Sequence, residues 1–94
     1  MRVRVEFAAQ LRSVTDCKED CIEMVDGGTV GQLVAHLGEK YGNPVRAYLL
    51  NPAGELQRSL LVIVNGVAHS SGQAGAVCLA DQDCIEFLPP IGGG

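Results

Sequence analysis

The chain has 94 residues, 47% of them hydrophobic and 19% charged, the composition of one folded domain with a single core. Seven basic residues against eleven acidic ones leave a net charge of −4, the wrong sign for a general nucleic-acid binder, which needs a basic face. No apolar run is long enough to cross a bilayer, and MRVRVEFAAQL lacks the apolar centre of an export signal, so a soluble, cytoplasmic protein is expected.

The first element alternates strictly. Val3, Val5 and Phe7 fall on one face and Arg2, Arg4 and Glu6 on the other, which predicts a half-buried strand. Asp20 to Val25 reads as a second strand, with Ile22 and Met24 facing one way and Cys21, Glu23 and Val25 the other. The polar stretch between them, Ala8 to Glu19, is expected to form an open hairpin connection.

A helix follows the turn Asp26-Gly27-Gly28. Thr29, with Gln32 three residues on, makes a capping box, and Val30, Leu33, Val34, Leu37 and Tyr41 recur at helical spacing as one apolar stripe. Gly42 is expected to end this helix and Pro44 to prevent its continuation. Gly31 and Gly38 weaken it intrinsically, so packing of the stripe on a sheet must supply its stability.

Val45 to Leu50 is apolar without a decisive period, and Asn51-Pro52-Ala53-Gly54 is a turn. Leu60 to Val64 is continuously apolar and β-branched, which predicts a strand buried on both faces. It runs into Asn65-Gly66, a strong hairpin signal, with Val67-Ala68-His69 returning. Ser70 to Ala76 reads as loop, Asp81-Gln82-Asp83 as a turn, and Cys84 to Leu88 as the last strand.

One amphipathic helix among these strands must cover one face of a sheet. The order predicts an α+β domain over residues 1–90, a mixed sheet of four to five strands under one main helix. It fits a β-grasp, an order that other small α+β sheets share.

After Leu88 the chain reads Pro89-Pro90-Ile91-Gly92-Gly93-Gly94. Two prolines stop a strand from pairing further, and residues 91–94 are expected to form a flexible glycine tail. A frayed end is the plain reading of glycines alone. Strand, Pro-Pro and a final Gly-Gly together suggest a chemical use. Lacking Cβ atoms, such a tail threads a narrow channel and offers a carboxylate to another protein's active site. An α-carboxyl with a pKa of about 3.3–3.7 is ionised and can attack the α-phosphate of ATP, giving an acyl-adenylate that sulfur or an amine displaces.

Val3-Arg4-Val5-Glu6-Phe7-Ala8-Ala9-Gln10-Leu11-Arg12 resembles the opening of the molybdopterin synthase small subunit. Asp81-Gln82-Asp83-Cys84-Ile85-Glu86-Phe87-Leu88-Pro89-Pro90, followed by Gly93-Gly94, is similar to that family's C-terminal signature. The likeness extends to the wider group of ubiquitin-like sulfur carriers, including those of thiamine and cysteine biosynthesis. It implies that a ubiquitin-activating-type adenylyltransferase uses ATP to adenylate Gly94, that a sulfur donor converts it to a thiocarboxylate, and that a large synthase subunit or another acceptor receives the sulfur. The chain itself would be no enzyme and would hold no cofactor. By the same resemblance Gly94 bears the sulfur, Gly93 is its required neighbour, and Pro89 and Pro90 form a stiff base. Gly92, where a side chain is more usual, and the long middle segments Asn51 to Leu60 and Ser70 to Cys78 depart from the compact molybdopterin carriers. Leu88 and Ile91 are expected to form a docking patch beside the tail.

Two other readings compete. A protein modifier would join Gly94 to lysines by the same activation chemistry. A metal or iron–sulfur domain would use Cys17, Cys21, Cys78 and Cys84, but their spacing matches neither the two-residue zinc knuckle nor the plant-type cluster run. Ordinary thiols are the plainer reading in a reducing compartment. His36 lies off the apolar stripe, and His69 has no evident partner. Asp81 and Asp83 suit turn carboxylates, and Arg12 an exposed loop. Ser70-Ser71-Gly72 is no nucleophile elbow, and Gly27-Gly28-Thr29 opens a helix without a phosphate-loop lysine.

Overall fold

The computed structural model describes residues 1–88. Strand β1 (Arg2–Glu6) buries Val3 and Val5, with Phe7 just beyond, and leaves Arg2 and Arg4 in solvent, as its alternation predicts. It pairs antiparallel with β2 (Glu19–Glu23). The predicted second strand ran from Asp20 to Val25. The pairing begins one residue earlier and ends two earlier, although Met24 stays buried and its amide donates to the Met1 carbonyl.

The connection between β1 and β2 is not an open polar loop. Ala9–Thr15 forms helix α1, ended by Asp16 in the left-handed region at φ 58°. Leu11 and Thr15 are one turn apart and buried, and Thr15 Oγ1 donates to the Leu11 carbonyl at 2.9 Å. With one large apolar anchor and no side-chain cap, this helix depends on tertiary packing, which its composition conceals.

Helix α2 (Val30–Tyr41) follows its predicted start closely. Thr29 Oγ1 accepts from the Gln32 amide at 3.3 Å, and Gln32 Oε1 accepts from the Thr29 amide at 2.8 Å, the reciprocal capping box. Val30, Leu33, Val34 and Leu37 are buried and Tyr41 half-buried. Its two glycines permit close approach. A Cβ on Gly31 would meet the Gly75 carbonyl oxygen at 3.2 Å, and one on Gly38 would meet Arg46 Nε at 3.1 Å. Gly42, at φ 85°, ends the helix. Pro44 does more than prevent continuation. It sits in the first turn of α3 (Asn43–Leu49), where a missing amide is harmless and φ is preset. The segment Val45 to Leu50 is therefore largely helical, with Val45 and Leu49 buried.

β3 (Leu61–Val64) corrects the expectation of burial on both faces. Val62 and Val64 are buried, but Leu61 is 37% exposed and Ile63 half-buried. Only one face of the sheet carries helices, so the outward β-branched positions meet solvent. Asn65 and Gly66, at φ 50° and 83°, make the predicted two-residue hairpin into β4 (Val67–Ser70). The stretch read as loop is one short helix, α4 (Ser71–Ala74), directly after β4.

β5 (Cys84–Leu88) has its predicted limits. The sheet order is β2-β1-β5-β3-β4, with β5 parallel to β1 and antiparallel to β3. Five strands and one principal helix agree with the predicted mixed sheet, with three shorter helices added. The core lies between the sheet and α1, α2 and α3. Phe87, Leu11, Leu33, Leu37, Leu49 and Ile85 are its largest fully buried side chains. No described helix is long and apolar enough to cross a membrane.

Candidate functional site at the end of the central strand

The strand that leads to the glycine tail is anchored at its start by a polar clasp. Asp83 Oδ2 accepts from the Ala80 amide at 2.7 Å and Asp83 Oδ1 from Asn65 Nδ2 at 2.8 Å, while Asn65 Oδ1 accepts from the Cys84 amide at 2.9 Å. Asp81 Oδ1 accepts from the Arg2 amide at 2.7 Å, and this bond, ahead of Gln82, holds its carboxyl below the usual range. Both aspartates are thus turn carboxylates, as their setting suggested. The hairpin that joins β3 to β4 therefore also fixes where β5 begins.

Toward its other end β5 is paired on both sides as far as Glu86, and with β3 alone at Phe87 and Leu88. Glu86 stands opposite Glu6 of β1 and Ile63 of β3, and Leu88 opposite Leu61. Leu88 is half-buried, the only predicted docking residue among those described. On the open face it forms an apolar surface with Leu61 and Ile63. Sequence reading missed these two because a continuous apolar run looks like burial on both sides. The available signal was a count of helices, since one amphipathic helix covers one face.

A carboxylate row flanks this surface. The register places Glu19, Glu6 and Glu86 side by side across β2, β1 and β5. Arg4 offsets part of the repulsion, with Nη2 at 3.5 Å from Glu6 and Nε at 3.4 Å from Glu19. These pairs are exposed and individually weak. A cleft of about 290 Å³ lies here, lined by Phe7, Arg12, Lys18 and the three glutamates. Arg12 sits on α1 rather than on a loop, and faces this cleft. Cys84 Sγ donates to Glu6 Oε1 at 3.4 Å, and Arg4 Nη2 donates to Cys84 Sγ at 3.6 Å. Burial first, and the Glu6 carboxylate, push the Cys84 thiol above its ordinary value against the pull of Arg4.

Pro89, Pro90, Ile91, Gly92, Gly93 and Gly94 lie outside the described residues. The remaining candidates are dispersed. His36 is exposed on α2 and His69 half-buried in β4. Ser71 Oγ donates to the Arg58 carbonyl at 3.0 Å. The start of α2 is occupied as an anion site, because the Val30 and Gly31 amides donate to the Val77 and Gly75 carbonyls and the Gln32 amide to Thr29. All four cysteines are free thiols, Cys21 and Cys78 exposed and Cys17 and Cys84 half-buried. Among the described residues no group of three or more histidines, cysteines or carboxylates is placed to hold a metal ion.

Comparison with known proteins follows this architecture. Small archaeal modifier protein 3 of Haloferax volcanii is 32% identical over 96 residues, covering the whole of both chains. RNA-free ribonuclease P of Ignicoccus hospitalis is 24% identical over 95 residues and 96% of this chain, which spans 47% of that protein's length. The crystal structure of SAMP1 from Haloferax volcanii superposes with a TM-score of 0.84 at 23% identity, covering all of both chains. A putative molybdopterin converting factor, subunit 1, from Pyrococcus furiosus superposes with a TM-score of 0.76 at 20% identity, covering 97% of this chain and 99% of that one. These two structural likenesses are likenesses of fold, the ubiquitin-like β-grasp. Residues 5–94 match the ThiS family along almost the entire sequence. The chain belongs to the ThiS family and is a ubiquitin-like sulfur carrier or modifier.

Proposed function

We propose that Gly94 is the reacting residue, and that this chain delivers sulfur as a C-terminal thiocarboxylate, as the small subunit of molybdopterin synthase. The observation that carries this reading is the placement of β5. The strand that leads directly into Pro-Pro-Ile-Gly-Gly-Gly is clasped at its start, paired with β1 as far as Glu86 and with β3 as far as Leu88, its last described residue. In the first step a Gly94 carboxylate oxygen attacks the α-phosphorus of ATP and pyrophosphate leaves. A hydrosulfide equivalent from the sulfur donor then adds to the acyl carbon, and AMP departs with the bonding pair. The activating adenylyltransferase supplies the catalytic groups, and the chain is a co-substrate in the cytoplasm with no cofactor of its own. Leu61, Ile63, Leu88 and Ile91 dock the activating enzyme and the acceptor, and Gly92 and Gly93 pass through its channel above the Pro89-Pro90 base.

The test is the intact mass of the chain after incubation with its activating enzyme, ATP and a sulfide source. Replacement of one oxygen by sulfur, lost on deletion of Gly94, is the expected outcome. No gain, with the enzyme active on another carrier, overturns the reading. Undiminished docking by the double variant Leu88→Asp, Ile91→Asp removes the proposed surface while leaving the chemistry.

A second reading is favoured by the likeness to Small archaeal modifier protein 3, which extends over its full length. Here a lysine amine replaces sulfide as the nucleophile and an isopeptide bond results. A thiol-resistant ladder of conjugates that requires Gly94 is the outcome that selects it. Carriers for thiamine or cysteine biosynthesis share the thiocarboxylate and differ in the acceptor, so sulfur transfer to a cyclic pterin precursor separates them.

A further inference from the structure

A second surface lies on the edge strand β2, two strands from β5. Met24 and Phe7 amides donate to the Met1 and Lys18 carbonyls. By antiparallel alternation the backbone of positions 18, 20, 22 and 24 therefore faces β1, while Glu19, Cys21, Glu23 and Val25 turn theirs outward. The Val25 carbonyl accepts from Gly28 and the Cys21 amide donates to the Asp20 carboxylate, and among the described residues the Glu23 amide and carbonyl have no backbone partner. Next to this edge is a cleft of about 310 Å³ lined by Met24, Val25, Gln32, Ala35, His36 and Glu39. The four α2 residues recur at helical spacing and form one stripe beyond the core-facing side. A sixth strand laid against β2 would find that stripe beneath it.

Val25 is 69% exposed, the most exposed large hydrophobic side chain among the described residues. Glu19, Glu23, Asp26 and Glu39, all exposed, surround the edge and the cleft. Glu23 is shared with Arg2 at 2.9 Å, Glu19 with Arg4 at 3.4 Å and Asp26 with the Met1 amine at 3.1 Å, individually weak pairs with exposed carboxylates that an incoming cation would compete for. We infer that this edge takes up an extended segment of another protein as an added strand. Apolar side chains of that segment point down into the cleft, and lysine or arginine side chains alternate with them on the open face against Glu19 and Glu23. Backbone pairing supplies affinity and the alternation supplies choice of partner. A second copy of this chain does not suit the edge, because β2 against β2 opposes carboxylates with carboxylates. Glu23, Val25 and the cleft lie two strands from β5 and at the end of β2 away from Glu19, so this part of the edge can be occupied while the tail reacts elsewhere, and the inference stands whichever acceptor Gly94 serves.

The probe is a blocked seven-residue peptide of alternating lysine and valine, titrated into the isotope-labelled full chain and followed by amide chemical shifts. Saturable shifts at Cys21, Glu23 and Val25 and along Gln32, Ala35, His36 and Glu39 are expected. Val25→Asp, which removes the apolar anchor, and Glu23→Lys, which reverses the charge, should each weaken binding by about tenfold or more while the rest of the spectrum keeps its native dispersion. Equal binding of a glutamate–valine peptide, shifts mapping to β4 or Ile63, or no saturable shift at millimolar peptide overturns the inference.

Discussion

On the helix-facing side of the sheet, Val3, Val5, Ile22, Val62, Val64, Ile85 and Phe87 are all buried. On the open side the same strands present Arg2, Arg4, Glu6, Cys84 and Glu86, with Leu61 and Ile63 among them. The covered face is uniform, and its physics is burial: each side chain removed from water contributes roughly 1.5–3 kcal/mol. The open face is mixed and includes arrangements that stability alone would not select, such as glutamates opposite one another in three neighbouring strands. One set of strands thus carries two messages, one about the fold and one about what meets it.

The sharpest way to test that division is to truncate the middle of the covered face. Phe87→Ala should lower the unfolding free energy by about 3–5 kcal/mol, read by chemical denaturation, because the side chain is fully buried and the cavity cannot collapse. A loss below 1 kcal/mol would mean the core does not turn on β5.

Asp20 is a charge on the covered side, and it probes the rule from the other direction. Burial works against its ionisation, but Lys40, the Tyr41 hydroxyl and the Cys21 amide outweigh burial and hold its carboxyl below the usual range. A depressed folded pKa contributes stability that is present above the unfolded value of about 3.9 and is lost as pH falls through the folded one. Asp20→Asn should therefore be less stable than the parent near neutrality, with the gap closing below about pH 4 in thermal melts. A gap that persists in acid would assign the effect to packing. Tyr41 shifts the opposite way, its hydroxyl raised first by burial and then by Asp20.

The smallest effect is a gain. Glu86→Lys replaces a like-charge neighbour of Glu6 by an opposite one and should stabilise the fold by about 0.2–1 kcal/mol. The same substitution should weaken docking of the activating enzyme, measured by calorimetry. Destabilisation would mean that Glu86 has a structural partner on its own chain.

The covered face was largely legible in the residues. Strict alternation from Arg2 to Phe7, the Thr29–Gln32 box and Asn65-Gly66 each satisfy a local rule that the tertiary structure does not override. What escaped were elements held by contacts distant in sequence. Helix α1 has one strong anchor, Leu11, and the α3 segment has an apolar run that a strand would tolerate equally. β3 was misread because Leu61 and Ile63 are apolar for a reason other than the core. The residues point to the tail, which lies outside the described residues, but not to its surround, since the neighbours Glu6, Leu61 and Ile63 meet Glu86 and Leu88 only through strand order.

The double pairing of β5 also has a mechanical consequence. A pull along β5 from its Leu88 end loads the β1 and β3 ladders together, in shear, so their hydrogen bonds resist in parallel instead of unzipping one after another. Forced unfolding is governed by the unfolding barrier. A protein hauled by this end should therefore withstand force well beyond what its equilibrium stability suggests, and a degradation motor that grips it there would stall before one that starts at β4.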